Sequence, residues 1–219
     1  ASGSENYDLG HTFSTAGGGY AVLGSVCLTS SKAKGVTGLS NPDGDYYAID
    51  YVAHEMGHQF GAHHTFNAAS GSCEGNRNAL TAVEPGSGST VMAYAGLCLP
   101  YNVEEDGDAY FHTISIQEIW ERLNGGSINC ASNTTTGNSP PTIAALNNYT
   151  IPISTPFVLD VEAEDSDGDN LSYTWEQLDN ENTQYPLSST ATGGPAFRSF
   201  PPSIESQRFF PRKETVVSG

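Results

Sequence analysis

Basic side chains are scarce in this chain. Its 219 residues carry 8 Lys and Arg against 25 Asp and Glu, a formal net charge of −17. No basic stripe exists to neutralise phosphates, which excludes nucleic acid as a partner and argues against anionic membrane surfaces. The acidity favours solubility and calcium binding, and adaptation to salty or cold water would look the same. No run of 18 apolar residues occurs, so no membrane insertion is expected. No secretory leader and no initiator Met precede Ala1-Ser2-Gly3, as in a mature or trimmed product. No internal repeat is visible. Cysteine is limited to Cys27, Cys73, Cys98 and Cys130, with no Cys-x-x-Cys pair and three possible pairings. Disulfides in a secreted, extracellular protein are the expected use, against four free buried thiols. Methionine is limited to Met56 and Met92.

What the chain does have is the run His54-Glu55-Met56-Gly57-His58-Gln59-Phe60-Gly61-Ala62-His63-His64. A helix is expected from about Tyr46 to Gly61, after the turn cluster Asn41-Pro42-Asp43-Gly44-Asp45. On a helix, residues four apart lie about 40° apart around the axis and about 6 Å apart along it. His54 and His58 therefore share a face and can clamp one metal ion. Were the helix to continue, His64 would point about 240° away from His58 and could not reach that ion. Gly61 can take the left-handed conformation that ends a helix and turns the chain back. Three imidazoles then hold one ion and leave its fourth position open, the catalytic rather than the closed structural pattern for zinc. Glu55 points beside the metal. There it can take a proton from zinc-activated water and pass it to a leaving amine. His63 is one residue out of register and reads as a neighbour of the site or as solvent-exposed. His11 and His112 have no ligand spacing.

The H-E-x-x-H-x-x-G-x-x-H segment resembles that of the metzincins, a clan of zinc endopeptidases. In that clan a methionine turn underlies the metal, and Ser89-Thr90-Val91-Met92-Ala93-Tyr94 offers one. Met92 then looks like the apolar base under the imidazoles. Tyr94 resembles the tyrosine that approaches the metal in astacins and serralysins, where its phenol could stabilise an oxyanion; otherwise it is a packed aromatic. Over residues 1–130 the chain is most similar to the reprolysins (adamalysin-like), particularly their secreted bacterial members. It departs from them at Thr65, where they usually have Asp, and at Thr90-Val91-Met92, where they tend to have Cys-Ile-Met. His64-Thr65-Phe66 looks more like the pappalysins.

The resemblance implies the disulfides Cys27–Cys130 and Cys73–Cys98. It also implies that the strand before the zinc helix is a sheet edge on which extended substrate pairs, with Tyr20, Ala21, Val22, Leu23 and Gly24 as the candidates. Pro100 and Tyr101 are expected to line the pocket beside the scissile bond. Only 53 residues precede His54, fewer than a metzincin upper subdomain normally supplies. A fragment is therefore expected, with the missing N-terminal portion of its own precursor as a partner beside the protein or peptide substrate.

Ser115-Ile116-Gln117-Glu118 reads as a capping box opening a helix with Ile116, Ile119, Trp120 and Leu123 on its apolar face and Gly125 at its end. Residues 131–141 read as a polar linker. Beyond it, Phe157-Val158-Leu159 with Val161 and Ala163, and Leu171 to Trp175, read as strands. They flank Asp165-Ser166-Asp167-Gly168-Asp169-Asn170, which resembles the acidic loops of cadherin-like and immunoglobulin-like sandwiches. Asp165, Asp167 and Asp169 are candidate structural calcium ligands, against a plain solvated turn; Asp43, Asp45 and Asp50 could also touch calcium.

The expected architecture is thus an α/β (α+β) metzincin catalytic domain over 1–130, followed by an incomplete all-β sandwich module over 142–219. The expected function is that of a secreted zinc endopeptidase. The alternative is a non-catalytic zinc-containing adhesion or surface-binding protein with a calcium-binding β-module. Zinc hydrolysis of a small amide is a third reading that leaves the edge strand without a use.

Overall fold

A computed structural model of the protein describes residues 3–125 and 130–218. Ala1 and Ser2, where the trimmed start was read, lie outside them, as does Gly219 at the end of the expected sandwich. The chain divides into two compact units. The first comprises residues 1–132 and 176–199, the second 133–175 and 200–219.

In the first unit, strands β1 (Thr12–Ser14), β2 (Gly18–Ala21) and β3 (Gly35–Gly38) form a sheet in the order β1-β3-β2. β1 runs parallel and β2 antiparallel to the central β3. β2 is thus an edge. It ends at Ala21, short of the expected edge's end at Gly24, because the chain leaves the sheet to cap the histidine-bearing helix: Gly24 N–H donates to His58 O at 2.8 Å and Val26 N–H to Gln59 O at 3.0 Å.

That helix opens at α1 (Gly44–Tyr46), continues as a π-helix over Tyr47–Ala53, and tightens into α2 (His54–Gln59). In a π-helix the i→i+5 bonds bring residues five apart onto one side. The Tyr46 and Tyr51 rings accordingly meet edge-on with centroids 5.3 Å apart. α2 ends in a Schellman motif, with Ala62 N–H bonded to Gly57 O and Gly61 N–H to His58 O. Gly61 sits at φ +104°, the conformation that motif requires.

Two buried clusters hold this unit. Ala62, Val91 and Met92 pack with Ile49, Ala53, Phe111 and Ile119. Phe66, Ala68 and the disulfide Cys73–Cys98 pack with Tyr94 and Tyr101. A second disulfide joins Cys27 to Cys130.

α3 (Thr113–Asn124) begins two residues before the expected capping box. His112 is its N-cap instead, accepting from Ile114 N–H, while the Ser115 side chain is buried. Ile119 is the member of the expected apolar face that reaches the core, whereas Ile116, Trp120 and Leu123 are exposed. The inward face is displaced by one residue, because Ser115, Ile119 and Arg122 turn in and Arg122 donates to Gly24 O. Glu118 is drawn off to His63, accepting from its backbone N–H at 2.8 Å and bonding its Nδ1 at 2.6 Å. That bond raises the His63 pKa.

The segment 176–199, expected in a β-module, packs within the first unit. Glu176 bonds Thr113 N–H at 2.6 Å, Thr183 N–H donates to Asn67 at 3.1 Å, and Asn67 donates to Glu181 O at 3.0 Å.

The second unit holds two antiparallel pairs. β4 (Thr142–Ile143) pairs with β6 (Ala163–Glu164), and β5 (Phe157–Leu159) with β7 (Arg208–Phe210). Helix α4 (Lys213–Ser218) follows. Leu171 to Trp175 is extended but bridges only at Tyr173 and Ser203. No sandwich forms among the described residues: two-stranded sheets have no inner face to share, and Ile143, Tyr149, Ile153 and Ile204 stay exposed.

Candidate metal centre and cleft

His54 opens α2, His58 lies one turn on, and His64 follows the break at Gly61. Each offers one ring nitrogen, and the three lie within 4.8 Å of one another. Each Nδ1 meets a backbone carbonyl: His54 on Val91 O at 2.8 Å, His58 on Ala62 O at 2.7 Å, His64 on Asn76 O at 2.8 Å. A carbonyl can only accept, so every Nδ1 carries the proton and every neutral ring presents a bare Nε2.

The electrostatics keep the rings neutral. Burial, then the charges of His58 and His64, holds the His54 pKa well below its usual value. Burial lowers His58 too, and burial followed by His58 takes His64 to about 4. His58 Nε2 and His64 Nε2 stand 3.0 Å apart. Two lone pairs at that separation repel unless a cation lies against both. The donor set therefore fits a zinc ion, whose other needs (fixed tautomers and outer-shell acceptors) are already met.

Met92 is fully buried beneath this turn. A Cβ at Gly57 would run into its Sδ, which explains glycine between the two ligands. Thr65 N–H donates to Met92 O at 3.1 Å, tying the third histidine's loop to the methionine turn. The two positions that depart from the reprolysin pattern converge on one carboxylate. Thr65 and Thr90 hydroxyls donate to Glu84 Oε1 at 2.6 and 2.5 Å, and Ser89 and Thr90 N–H to Oε2 at 2.8 and 3.2 Å. Glu84 had no signal in the sequence, because its partners are set by tertiary structure.

Glu55 faces a cleft of about 260 Å³. β2 contributes Gly18 and Gly19; the helix Tyr46, Asp50, Tyr51, His54 and Glu55; the following loop Ser72 and Asn76; the methionine turn Ala93, Tyr94, Ala95 and Leu97. A larger hollow of about 610 Å³ in the second unit is lined by residues such as Phe200, Arg208, Arg212 and Lys213, with no histidine or cysteine, so chemistry rather than size selects the cleft. Burial raises the Glu55 carboxyl to about 7. A Cβ at Gly19 would overlap that carboxyl, so this glycine lets the β2 backbone lie directly against it. Tyr94 stands edge-on to His64, with centroids 4.6 Å apart, and burial followed by the Glu55 charge raises its phenol.

The other expected residues scatter. Tyr20 and Ala21 continue β2, Val22 and Leu23 lie beyond the strand, and Gly24 N–H is spent on α2. Pro100 is exposed and Tyr101 packs on the Phe66 cluster; neither lines the cleft. Asp165, Asp167 and Asp169 do not converge, and calcium finds no support. The histidine triad is the one metal-ligating cluster among the described residues. Asp165 instead caps its own turn, accepting from Asp167 and Asp169 N–H, while Asp167 accepts from Ser139 N–H.

A family model described as metallo-peptidase family M12B, reprolysin-like, matches residues 1–124. The chain belongs to this family. No curated protein and no solved structure is significantly similar to it. For a reprolysin-like metallopeptidase, a three-histidine site compatible with zinc and protein or peptide substrates follow. Two disulfides are compatible with an extracellular location, and no helix among the described residues is long and apolar enough to cross a membrane.

Proposed function

We propose that this reprolysin-like chain is a secreted zinc endopeptidase in which Glu55 is the general base and acid. The observation that carries the reading is the cluster of three bare imidazole nitrogens, two of them on the same helix as a half-buried carboxyl packed against the β2 backbone. His54, His58 and His64 would hold the ion. Zinc at such a site polarises a carbonyl and lowers the pKa of water. An extended peptide pairs with Gly18 to Tyr20, which places its backbone over Glu55. Glu55 takes the proton of the attacking water and returns it to the departing amine, a task suited to a carboxyl whose pKa is near neutral. Tyr94 directs its phenol at the developing oxyanion. Digestion of fluorescent casein should be abolished by a chelator and restored by about one equivalent of zinc. Activity indifferent to chelation rejects the reading.

The pH dependence follows from Glu55. Its proton-accepting form is lost as pH falls through its pKa. Burial sets that pKa at about 7, and a nearby cation pulls it down. The acid limb of kcat/KM is therefore expected below about 7. Zinc should still be bound there, because His64 protonates only near 4. Rising activity between pH 7 and 5, with zinc content constant, contradicts the assignment.

A further inference from the structure

Glu55 is not the only carboxyl group in the cleft. Asp50 lies one helical turn before His54, in the π-helical stretch. Its Oδ1 accepts Gly107 N–H at 2.8 Å. Its Oδ2 is buried and has no hydrogen-bond partner among the described residues. A carboxylate oxygen removed from water without a donor is costly, and a ligand that supplies the donor recovers that cost. Burial, with a further contribution from Asp106, raises this carboxyl to about 6. No Lys or Arg lines the cleft, so nothing within it neutralises Asp50.

The surroundings define the missing donor. Tyr46 and Tyr51 form an aromatic corner beside Asp50, their hydroxyls 3.2 Å apart. Such walls suit the alkyl stem of a long side chain and the face of a cationic head. The net charge of −17 draws cations toward the molecule and repels acidic peptides. An acidic or apolar occupant would leave Oδ2 unpaired.

We propose that Asp50, Tyr46 and Tyr51 form a specificity subsite for a basic side chain, so that proteins are cut beside Arg or Lys. The inference rests on the peptidase reading and adds the substrate class. Asp50 binds the cationic head through Oδ2 while Gly107 holds Oδ1; Glu55, in the same cleft, serves the adjacent peptide bond.

The test uses the zinc-loaded full chain and quenched peptides differing at one central residue: Arg, Lys, Gln, Leu or Glu. kcat/KM is expected to favour Arg and Lys over Leu by about 10- to 100-fold, with Glu the poorest. In Asp50→Asn the Arg-to-Leu ratio should fall at least tenfold. A wild-type preference for Leu or Glu, or a ratio unchanged in Asp50→Asn, overturns the subsite. If the wild-type chain cleaves none of the peptides, the peptidase reading fails separately. The subsite is then judged by binding of acetyl-arginine amide to the zinc-loaded chain: binding that is weaker in Asp50→Asn upholds it, and equal or absent binding in both overturns it.

Discussion

Glu55→Gln is expected to keep zinc at about one equivalent and to lower kcat by at least 10²- to 10⁴-fold, the range for loss of a positioned acid–base group. Glutamine matches glutamate in size, so the close packing against Gly19 survives. The three histidines do not depend on Glu55, since their Nδ1 atoms are held by Val91, Ala62 and Asn76 carbonyls. Stability gives an independent readout. The folded carboxyl titrates at about 7 against an ordinary 4.5, so the folded state binds the proton more tightly. Glu55 therefore favours the metal-free fold at low pH, and that contribution is lost as pH rises through about 7. Above that pH the metal-free Gln variant should melt no lower than wild type. Metal analysis, peptide turnover and melting together check the prediction; a variant that keeps most of its activity removes Glu55 from the chemistry.

A chain ending at Ser132 is expected to lose its cooperative fold or to melt more than about 10 °C below the full chain. The family match ends at residue 124, yet the first unit includes 176–199. Its removal strips partners from buried Asn67 and from several groups nearer the surface. Asn67 loses Glu181 O and Thr183 N–H, Thr113 N–H loses Glu176, and Tyr110 loses Ser199. Asp108 loses Arg198, and Arg77 no longer reaches Asn180 O. A buried polar group left without its partner costs about 1–3 kcal/mol. Asn67 loses two such partners at once, a sizeable share of the roughly 5–15 kcal/mol that holds a domain folded. Asn67 is three residues from His64, so the damage should reach zinc content as well. Circular dichroism melts and metal analysis of chains ending at 132 and at 219 decide the matter. Equal melting and equal zinc would mean the returning segment contributes nothing.

The parts of the site legible in the sequence are those fixed by local backbone geometry. Four-residue spacing on a helix and a glycine at the break place His54, His58 and His64 without reference to the rest of the chain. Met92 was legible by analogy, through the family's methionine turn. What escaped depends on partners far away in sequence. Glu118 completes a capping pattern on paper, but His63, 55 residues upstream, takes its carboxylate. α3 turns Ser115, Ile119 and Arg122 inward because Arg122 has Gly24 O to reach. Gly19, in the glycine run that leads into β2, carries no periodic signal; the approach of Glu55 explains it. The returning segment has no regular pattern, because it is held by individual side-chain to backbone bonds across about a hundred residues.

The change from π- to α-helical winding at Ala53–His54 separates two jobs along one continuous helix. The spacing of His54 and His58 belongs to the α-helical half, while Asp50 lies in the π-helical half and Tyr46 just before it. Deleting a single residue between 47 and 53 would swing everything upstream by about 100° and leave the spacing of His54, Glu55 and His58 untouched. A length change in that one short stretch would therefore re-aim the aromatic and acidic side chains at the helix start while the histidine pair keeps its register.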